Sequence, residues 1–207
     1  MAMGLLLENM GKQVNYVLPD APASIFSFLP EIEKYTTDFD YGNYDLCIFL
    51  DIADTNRVKH IRKDRPDYFA KQQTIVIDHH VSNPGFGKYN IVDADASSTC
   101  ELLTEMFQEL YPQHMDETIA TYLLMGISTD TGNFMYEKDP ARTFAAALTL
   151  LALGADKELI AHEIYRSNSL EAVQFQAKII DRISKADKVL YSWYTDTEIL
   201  AHNLDQE

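Results

Sequence analysis

Two short apolar runs, each followed by acidic residues, constrain the fold more than any other feature of the sequence. Residues 46–50 (LCIFL) lead into Asp51, and residues 74–77 (TIVI) lead into Asp78, His79 and His80. Continuous apolar runs are typical of parallel strands that are covered on both faces. The two aspartates are 27 residues apart, which is close to the length of one βαβ unit. The spacing therefore predicts two neighbouring parallel strands that carry these polar side chains to one edge, where open α/β sheets bind ligands.

The remaining sequence alternates between helix-like and strand-like segments, which is typical of an α/β protein. Asp54 is expected to cap a short helix that carries Val58 and Ile61, and Ser98 with Glu101 fits a capping box. Further helices are predicted over residues 2–10, 99–110, 117–130, 140–153, 156–166 and 170–186, and strands over 14–18, 46–50, 74–77, 189–194 and 198–202. The fold class predicted from this order is α/β, a parallel sheet flanked by helices.

Both ends of the predicted fold are unusual. A doubly wound domain generally opens on a strand, whereas this chain opens on a helix and closes on two strands that have no sheet to join. We therefore expect a chain that lacks its first strand and is cut at both sides. The predicted division is a main domain over 1–168, a linker helix over 169–187 and the start of a second domain over 188–207.

A third acidic residue, Asp130, is predicted to lie on the buried face of a helix. Leu123 and Ile127 precede it at helical spacing, and Gly126 is expected to leave space beside it. An inward carboxylate costs several kcal/mol unless it is paired or coordinates a metal ion. Two carboxylates, Asp51 and Asp130, with one imidazole suit Mn²⁺ best and Mg²⁺ next. A zinc site with sulfur ligands is not expected, since neither cysteine has a partner at ligand spacing.

Each of these features also has an ordinary explanation. An aspartate at a strand end is commonly a cap or turn residue, and a pair of histidines commonly fills a surface or a core. We assign such structural roles to the remaining candidates: Asp54, Asp93, Asp95, His60, His114, His162 and His202. The combination of two acidic strand ends with a third aspartate on a buried helical face favours a metal site.

Composition limits the partners and the compartment. No apolar stretch is long enough to span a membrane, and no leader is recognised at the start. Two cysteines in a chain of this length indicate no disulfide framework and favour the cytoplasm. The net charge of −15 argues against long duplex DNA as a partner. It does not exclude a short anionic substrate held by metal ions, because bound cations reverse the local field.

Three segments together resemble the DHH family of phosphoesterases: FLDIADTNRV (49–58), IDHHVSN (77–83) and GISTDTGNF (126–134). The chain is most similar to the NrnA-type branch, which degrades very short oligoribonucleotides and dephosphorylates phosphoadenosine phosphate. The resemblance implies two Mn²⁺ ions, with Mg²⁺ as an alternative, and metal ligands at Asp51, His79 and Asp130. Asp51 would bridge the two ions.

The same resemblance implies roles for residues around the metal ligands. His80 would contact the phosphoryl group, which gives it a catalytic and a substrate-binding role, and Asp78 would support the histidines. Asn83 and the stretch 97–99, centred on Ser98, are implied to lie near the substrate.

The sequence also departs from the family pattern. The motif His-x-x-Pro-Asp-x-Asp-x-x-Gly-Ser does not precede the first helix, and the glycine-rich motif of the family's C-terminal domain does not occur. Val81 stands where the pyrophosphatase branch usually has lysine, which disfavours that branch. We therefore expect weak or single-metal binding and low activity from this chain itself.

The predicted function is two-metal hydrolysis of phosphoesters in short oligoribonucleotides or phosphorylated nucleotides. The alternative is a non-catalytic domain with the same fold that senses a nucleotide or metal, or serves assembly. The retention of Asp51, His79, His80 and Asp130 disfavours that alternative. A homodimer is left open.

Overall fold

The computed structural model describes residues 1–39, 41–42, 44–58 and 66–201. The helices of these residues are α1 (Ala2–Asn9), α2 (Pro66–Lys71), α3 (Thr99–Leu110), α4 (Glu117–Asp130), α5 (Pro140–Ala152), α6 (Lys157–Tyr165), α7 (Leu170–Asp181) and α8 (Asp196–Ala201). The strands are β1 (Tyr16–Val17), β2 (Tyr35–Thr36), β3 (Cys47–Leu50), β4 (Thr74–Asp78), β5 (Tyr89–Val92), β6 (Ser184–Ala186) and β7 (Val189–Tyr191). Short 3-10 turns cover Ser24–Phe26, Ile32–Lys34, Thr55–Val58 and Pro112–His114.

The two strands predicted to be parallel neighbours are paired as expected. Strands β3, β4 and β5 form a parallel sheet in that order, with Leu50 opposite Ile77. The Asp51 N–H donates to the Ile77 carbonyl over 3.0 Å, so the pairing continues into the first acidic residue. The α/β class and the parallel sheet are therefore confirmed.

One expectation about this sheet is wrong. The side chains of β3 are only half-buried, whereas β4 buries all of its side chains except Ile75. The reason lies in the strand order, since β4 is the central strand of this sheet and β3 is an edge strand among its described members. Strand β1 is also shorter than predicted, and it pairs in parallel with β2, which the sequence did not indicate.

The largest group of buried side chains lies between helices α3, α4 and α5. Leu103, Phe107, Leu123, Ile127 and Leu150 are each at most 3% exposed. The hydrogen bonds predicted to cap the amino ends of α3 and α5 both form. The Ser98 hydroxyl accepts from the Glu101 N–H over 3.0 Å, and the Asp139 carboxylate accepts from the Arg142 N–H over 3.2 Å. These caps fix where α3 and α5 begin, directly beside the polar edge of the sheet.

The chain divides into two compact units, Met1–Ile160 and Ala161–Glu207. In the second unit the helix predicted over 170–186 ends at Asp181, and β6 pairs with β7 as an antiparallel hairpin instead. The strand predicted over 198–202 is also wrong, because residues Asp196–Ala201 form helix α8. The domain division at 168 and 187 stays a prediction.

A capping box explains why α8 is a helix. The Thr195 N–H donates to the Glu198 carboxylate over 3.1 Å, and the Glu198 N–H donates to the Thr195 hydroxyl over 3.3 Å. This reciprocal pair satisfies the first free donors of a helix and favours it over a strand. None of the described helices is both long and apolar enough to cross a membrane.

Candidate metal centre

The three predicted metal ligands converge at the carboxyl edge of the sheet. His79 Nε2 lies 3.5 Å from Asp51 Oδ1 and 3.5 Å from Asp130 Oδ2. His80 Nδ1 lies 3.7 Å from the same Asp51 oxygen. Asp51 follows β3, the histidines follow β4, and Asp130 ends α4. Residues that are up to 79 positions apart in sequence (51 to 130) therefore meet at one place.

Asp51 adopts an unusual backbone conformation at this point. Its φ is +58°, a value that residues other than glycine seldom take, although among them aspartate and asparagine tolerate it best. The Thr99 hydroxyl donates to Asp51 Oδ1 over 2.9 Å and so orients the carboxylate. Thr99 stands in the stretch 97–99 that the resemblance placed near the site, and this contact gives it a concrete role.

The ring of His79 is held from behind by a backbone carbonyl. Its Nδ1 lies 3.4 Å from the Ala96 oxygen, which favours the tautomer with the proton on Nδ1. The lone pair of Nε2 is then directed to the side where the two carboxylates lie. Metal-binding histidines are commonly oriented in this way.

Asp78 is a fully buried carboxylate that organises the turn after β4. Its Oδ1 accepts from the His79 N–H over 2.8 Å and lies 2.7 Å from His80 Nδ1, while Asn83 Nδ2 donates to Oδ2 over 2.6 Å. Burial alone would raise the pKa of Asp78, but these hydrogen bonds, with the one from Asn83 foremost, outweigh it and lower the pKa. Asp78 therefore stays ionised. Because His80 contacts Asp78 through Nδ1, the Nε2 atom of that ring remains available to a ligand.

Asp130 differs from its predicted environment. Its side chain is 38% exposed, because it is the last residue of α4 and lies beyond the buried Ile127 on the same face. The space predicted beside Gly126 is filled by Cys100, whose Sγ would lie 2.2 Å from a Cβ added at Gly126. Partial burial and the nearby Asp51 carboxylate raise the pKa of Asp130, whereas His79, His80 and Lys138 lower it.

Two of the three residues predicted to bind substrate, Asn83 and Ser98, have structural partners. Asn83 donates to Asp78 and to the Ile52 carbonyl, and its Oδ1 accepts from the Gly85 N–H. Ser98 is fully buried as the cap of α3. Contact with a substrate stays a prediction for both.

Lys138 is a neighbour of the site that sequence reasoning missed. Its Nζ donates to the Ala94 carbonyl over 2.9 Å and to the His79 carbonyl over 3.4 Å. This connects the loop after Asp130 to the turn that carries His79. A lone lysine in a polar loop carries no pattern by which the sequence could reveal this contact.

The donor set fits a divalent cation. Ligand atoms of Asp51, His79 and His80 lie within 4.8 Å of one another, and the Asp130 carboxylate approaches the His79 imidazole. Burial first, and then the nearby Asp51 carboxylate, raise the pKa of Asp130, and a cation between the two carboxylates would remove their repulsion. Carboxylate oxygens with imidazole nitrogen suit Mn²⁺ or Mg²⁺. The ligand roles themselves stay predictions.

Of the remaining acidic and histidine candidates, Asp54, Asp93 and His162 have the structural roles that were expected. The Asp54 and Asp93 carboxylates accept from the Asn56 and Asp95 N–H groups in local turns. His162 is 68% exposed and pairs with its neighbour Glu163. Ile61, His60 and His202 lie outside the described residues.

Comparison with known proteins places these residues in a family context. The model of the DHH family, N-terminal domain, matches residues 1–127. The chain is 30% identical over 149 residues to the bifunctional oligoribonuclease and PAP phosphatase NrnA of Thermus thermophilus, covering 72% of this chain and 43% of that protein. It is 31% identical over 185 residues to the probable bifunctional oligoribonuclease and PAP phosphatase NrnA of Streptococcus mutans, covering 84% and 57%.

A solved structure supports the same fold. The chain superposes with a TM-score of 0.88 on the crystal structure of an exopolyphosphatase-related protein from Bacteroides fragilis, covering 99% of this chain and 63% of that one at 21% identity. The chain spans about half the length of the curated relatives that it matches.

Proposed function

This chain belongs to the DHH family, and from that premise we propose that the protein is a metal-dependent phosphoesterase. Its proposed substrates are short oligoribonucleotides and phosphorylated nucleotides, the compounds in the names of its curated relatives. The observation that carries the proposal is that the Asp51 and Asp130 carboxylates both lie 3.5 Å from Nε2 of His79. The buried carboxylate of Asp78 supports the turn that carries His79 and His80.

Asp51, His79 and Asp130 would hold the metal, with Mn²⁺ as the proposed ion. A divalent cation there supplies a Lewis acid that polarises the phosphoryl group and lowers the pKa of a coordinated water. His80 is fixed through Nδ1 on Asp78, and in its doubly protonated form it would donate from Nε2 to a phosphoryl oxygen. Thr99 and the Ala96 carbonyl keep Asp51 and His79 in their orientations.

We further propose that the 207-residue chain itself turns over slowly. Its three proposed protein ligands suffice for one ion, whereas a two-metal mechanism needs a shell for a second ion. The predicted outcome is weak, Mn²⁺-dependent hydrolysis with one metal ion bound at equilibrium.

Hydrolysis of a 5′-phosphorylated diribonucleotide in Mn²⁺ tests the proposal. We expect His79→Ala to lower the rate by on the order of 100-fold, because it removes the imidazole that both carboxylates approach. The control is His162→Ala, which changes an exposed histidine of the second unit and is expected to leave the rate unchanged. Equal rates for the two variants, or hydrolysis that persists after Mn²⁺ is chelated, would contradict the proposal.

A further inference from the structure

We propose that Tyr136 is a stacking platform for the nucleobase of the substrate. The inference rests on the proposed function, since it assumes that a nucleotide phosphate lies at the candidate metal centre. It adds a residue that favours a nucleotide over a phosphate compound without a base. Neither the metal ligands nor the residues that orient them can make that distinction.

Tyr136 is tied to the backbone that immediately follows Asp130. Its N–H donates to the Thr131 carbonyl over 2.9 Å, and its ring packs against Gly132. These are the next two residues after the aspartate whose Oδ2 lies 3.5 Å from His79 Nε2. The backbone of Tyr136 is therefore fixed beside Thr131, one residue from a proposed metal ligand, and Lys138, two residues further on, donates to the His79 carbonyl over 3.4 Å.

The turn that holds Tyr136 is rigid and strained. Gly132, Asn133 and Phe134 have consecutive φ values of +58°, +59° and +62°. A positive φ is an outlier for a residue as bulky as phenylalanine, and such conformations persist only where surrounding contacts enforce them. The Asn133 N–H donates to the Ser128 carbonyl over 2.7 Å, and the Phe134 N–H donates to the Thr131 hydroxyl over 2.9 Å. Strain of this kind concentrates at ligand-binding sites.

Phe134 and Gly132 fix the position of the turn and of the ring. The Phe134 ring stacks on Phe144 of α5 with 5.3 Å between centroids. A Cβ added at Gly132 would lie 2.7 Å from two ring carbons of Tyr136, so only glycine admits the ring at this distance. The structure thus holds one side of Tyr136 in place.

Most of Tyr136 nevertheless remains open to solvent, with 73% of the residue exposed. Bases stack on fixed, exposed aromatic rings in proteins that bind single-stranded nucleic acid. Tyr136 offers such a ring six residues after the proposed metal ligand Asp130. Stacking tolerates any base, because every base has a π-face. This suits a site that acts on short oligoribonucleotides of mixed sequence.

Tyr89 provides a matched control on the same unit. It is 55% exposed, but it lies opposite Ile75 near the amino end of β4, whereas Asp78 ends that strand. Tyr89→Ala therefore removes an exposed tyrosine ring at the opposite edge of the sheet from the candidate metal centre.

The test is equilibrium binding of adenosine 5′-monophosphate and ribose 5-phosphate to the full chain in saturating Mn²⁺. We expect Tyr136→Ala to weaken binding of the nucleotide roughly 5- to 150-fold, which corresponds to the loss of one stacked base. Binding of ribose 5-phosphate and of Mn²⁺ should change by less than about twofold, because the phosphate contacts remain. Tyr136→Trp should keep the nucleotide affinity, and Tyr89→Ala should behave like the unchanged chain.

Two results would overturn the inference while the proposed function stands. One is nucleotide binding to Tyr136→Ala with unchanged affinity. The other is an equal loss for nucleotide and sugar phosphate, which would show that Tyr136 acts by positioning the turn. Failure of the unchanged chain to bind either compound in Mn²⁺ would overturn the proposed function and this inference with it.

Discussion

The candidate metal centre depends at the residue scale on Asp78, a carboxylate that does not reach the surface. It accepts hydrogen bonds from the backbone and side chains of the turn that presents His79 and His80. Because it is fully buried and ionised, its hydrogen bonds are stronger than those of a neutral acceptor in the same position. The Asp-His-His order thus has a physical reason, since the aspartate holds the His80 imidazole and the backbone N–H groups of both histidines that follow it.

The pH dependence of stability should reveal this role of Asp78. Its folded-state pKa is lowered below the ordinary value of 3.8, so its ionised form contributes stability above that value. The contribution is lost as the pH falls through the folded-state pKa. We expect Asp78→Asn to cost about 2 kcal/mol in the free energy of unfolding at pH 7 and less at pH 3, measured by urea denaturation.

The control for this experiment is Asp95→Asn, which changes an exposed turn residue. It is expected to alter the free energy of unfolding by less than about 0.5 kcal/mol. A loss for Asp78→Asn that is the same at both pH values would show that its charge does not stabilise the fold.

Sequence reasoning identified Asp51 and His79 as neighbours, because parallel strands of known spacing must end at one edge. Asp130 was added to them by helical periodicity and by the family resemblance. Sequence reasoning could not place Tyr136 or Lys138, whose contacts depend on a turn of three left-handed residues that no residue pattern specified. It also overestimated the burial of Asp130, because helical periodicity gives the direction of a side chain but not where the core ends.

At the scale of elements, the seam between α3 and α4 sets the position of Asp130. Gly126 lets the Cys100 side chain of α3 lie against the backbone of α4, where a Cβ would be only 2.2 Å from the sulfur. Capping boxes define other elements, and they were recognised unevenly. At Ser98 the hydroxyl half of the box forms, whereas Glu101 accepts from the Ser97 N–H, and this cap precedes a long apolar stripe. The box at Thr195 precedes a helix of six residues that shows no period.

Gly126→Ala tests this seam. Alanine normally stabilises a helix interior by up to about 1 kcal/mol relative to glycine. Here we expect a net loss of about 2 kcal/mol in the free energy of unfolding, because the added methyl group must displace Cys100. Adding Cys100→Ala should recover most of the loss. A Gly126→Ala chain that unfolds at higher urea concentration than the unchanged chain would exclude the close packing.

The two units differ in burial at the scale of the whole molecule. The unit Met1–Ile160 contains the fully buried Phe107, Ile119, Leu123, Ile127 and Leu150. Among the described residues of the unit Ala161–Glu207, Phe175 is the buried apolar side chain, and Val189, Leu190 and Trp193 are each more than half exposed. The second unit therefore has much less apolar burial with which to resist local opening.

Amide hydrogen exchange measures that difference. We expect the amides of α3 and α4 to exchange at least about 100-fold more slowly than those of α7 and the β6–β7 hairpin, because local opening free energy follows buried apolar contact. Equal protection in the two units would show that burial does not set the local stability of this chain.

Equilibrium binding of Mn²⁺, followed by the electron paramagnetic resonance signal of the free ion, tests the central claim most directly. We predict one ion per chain, bound on the order of 10-fold or more weakly after Asp51→Asn, His79→Ala or Asp130→Asn. Asp95→Asn is the control, because it removes one of the many acidic groups without touching the centre. An unchanged affinity in all three ligand variants, or no binding by the folded chain, would contradict the convergence of these residues on a common metal ion.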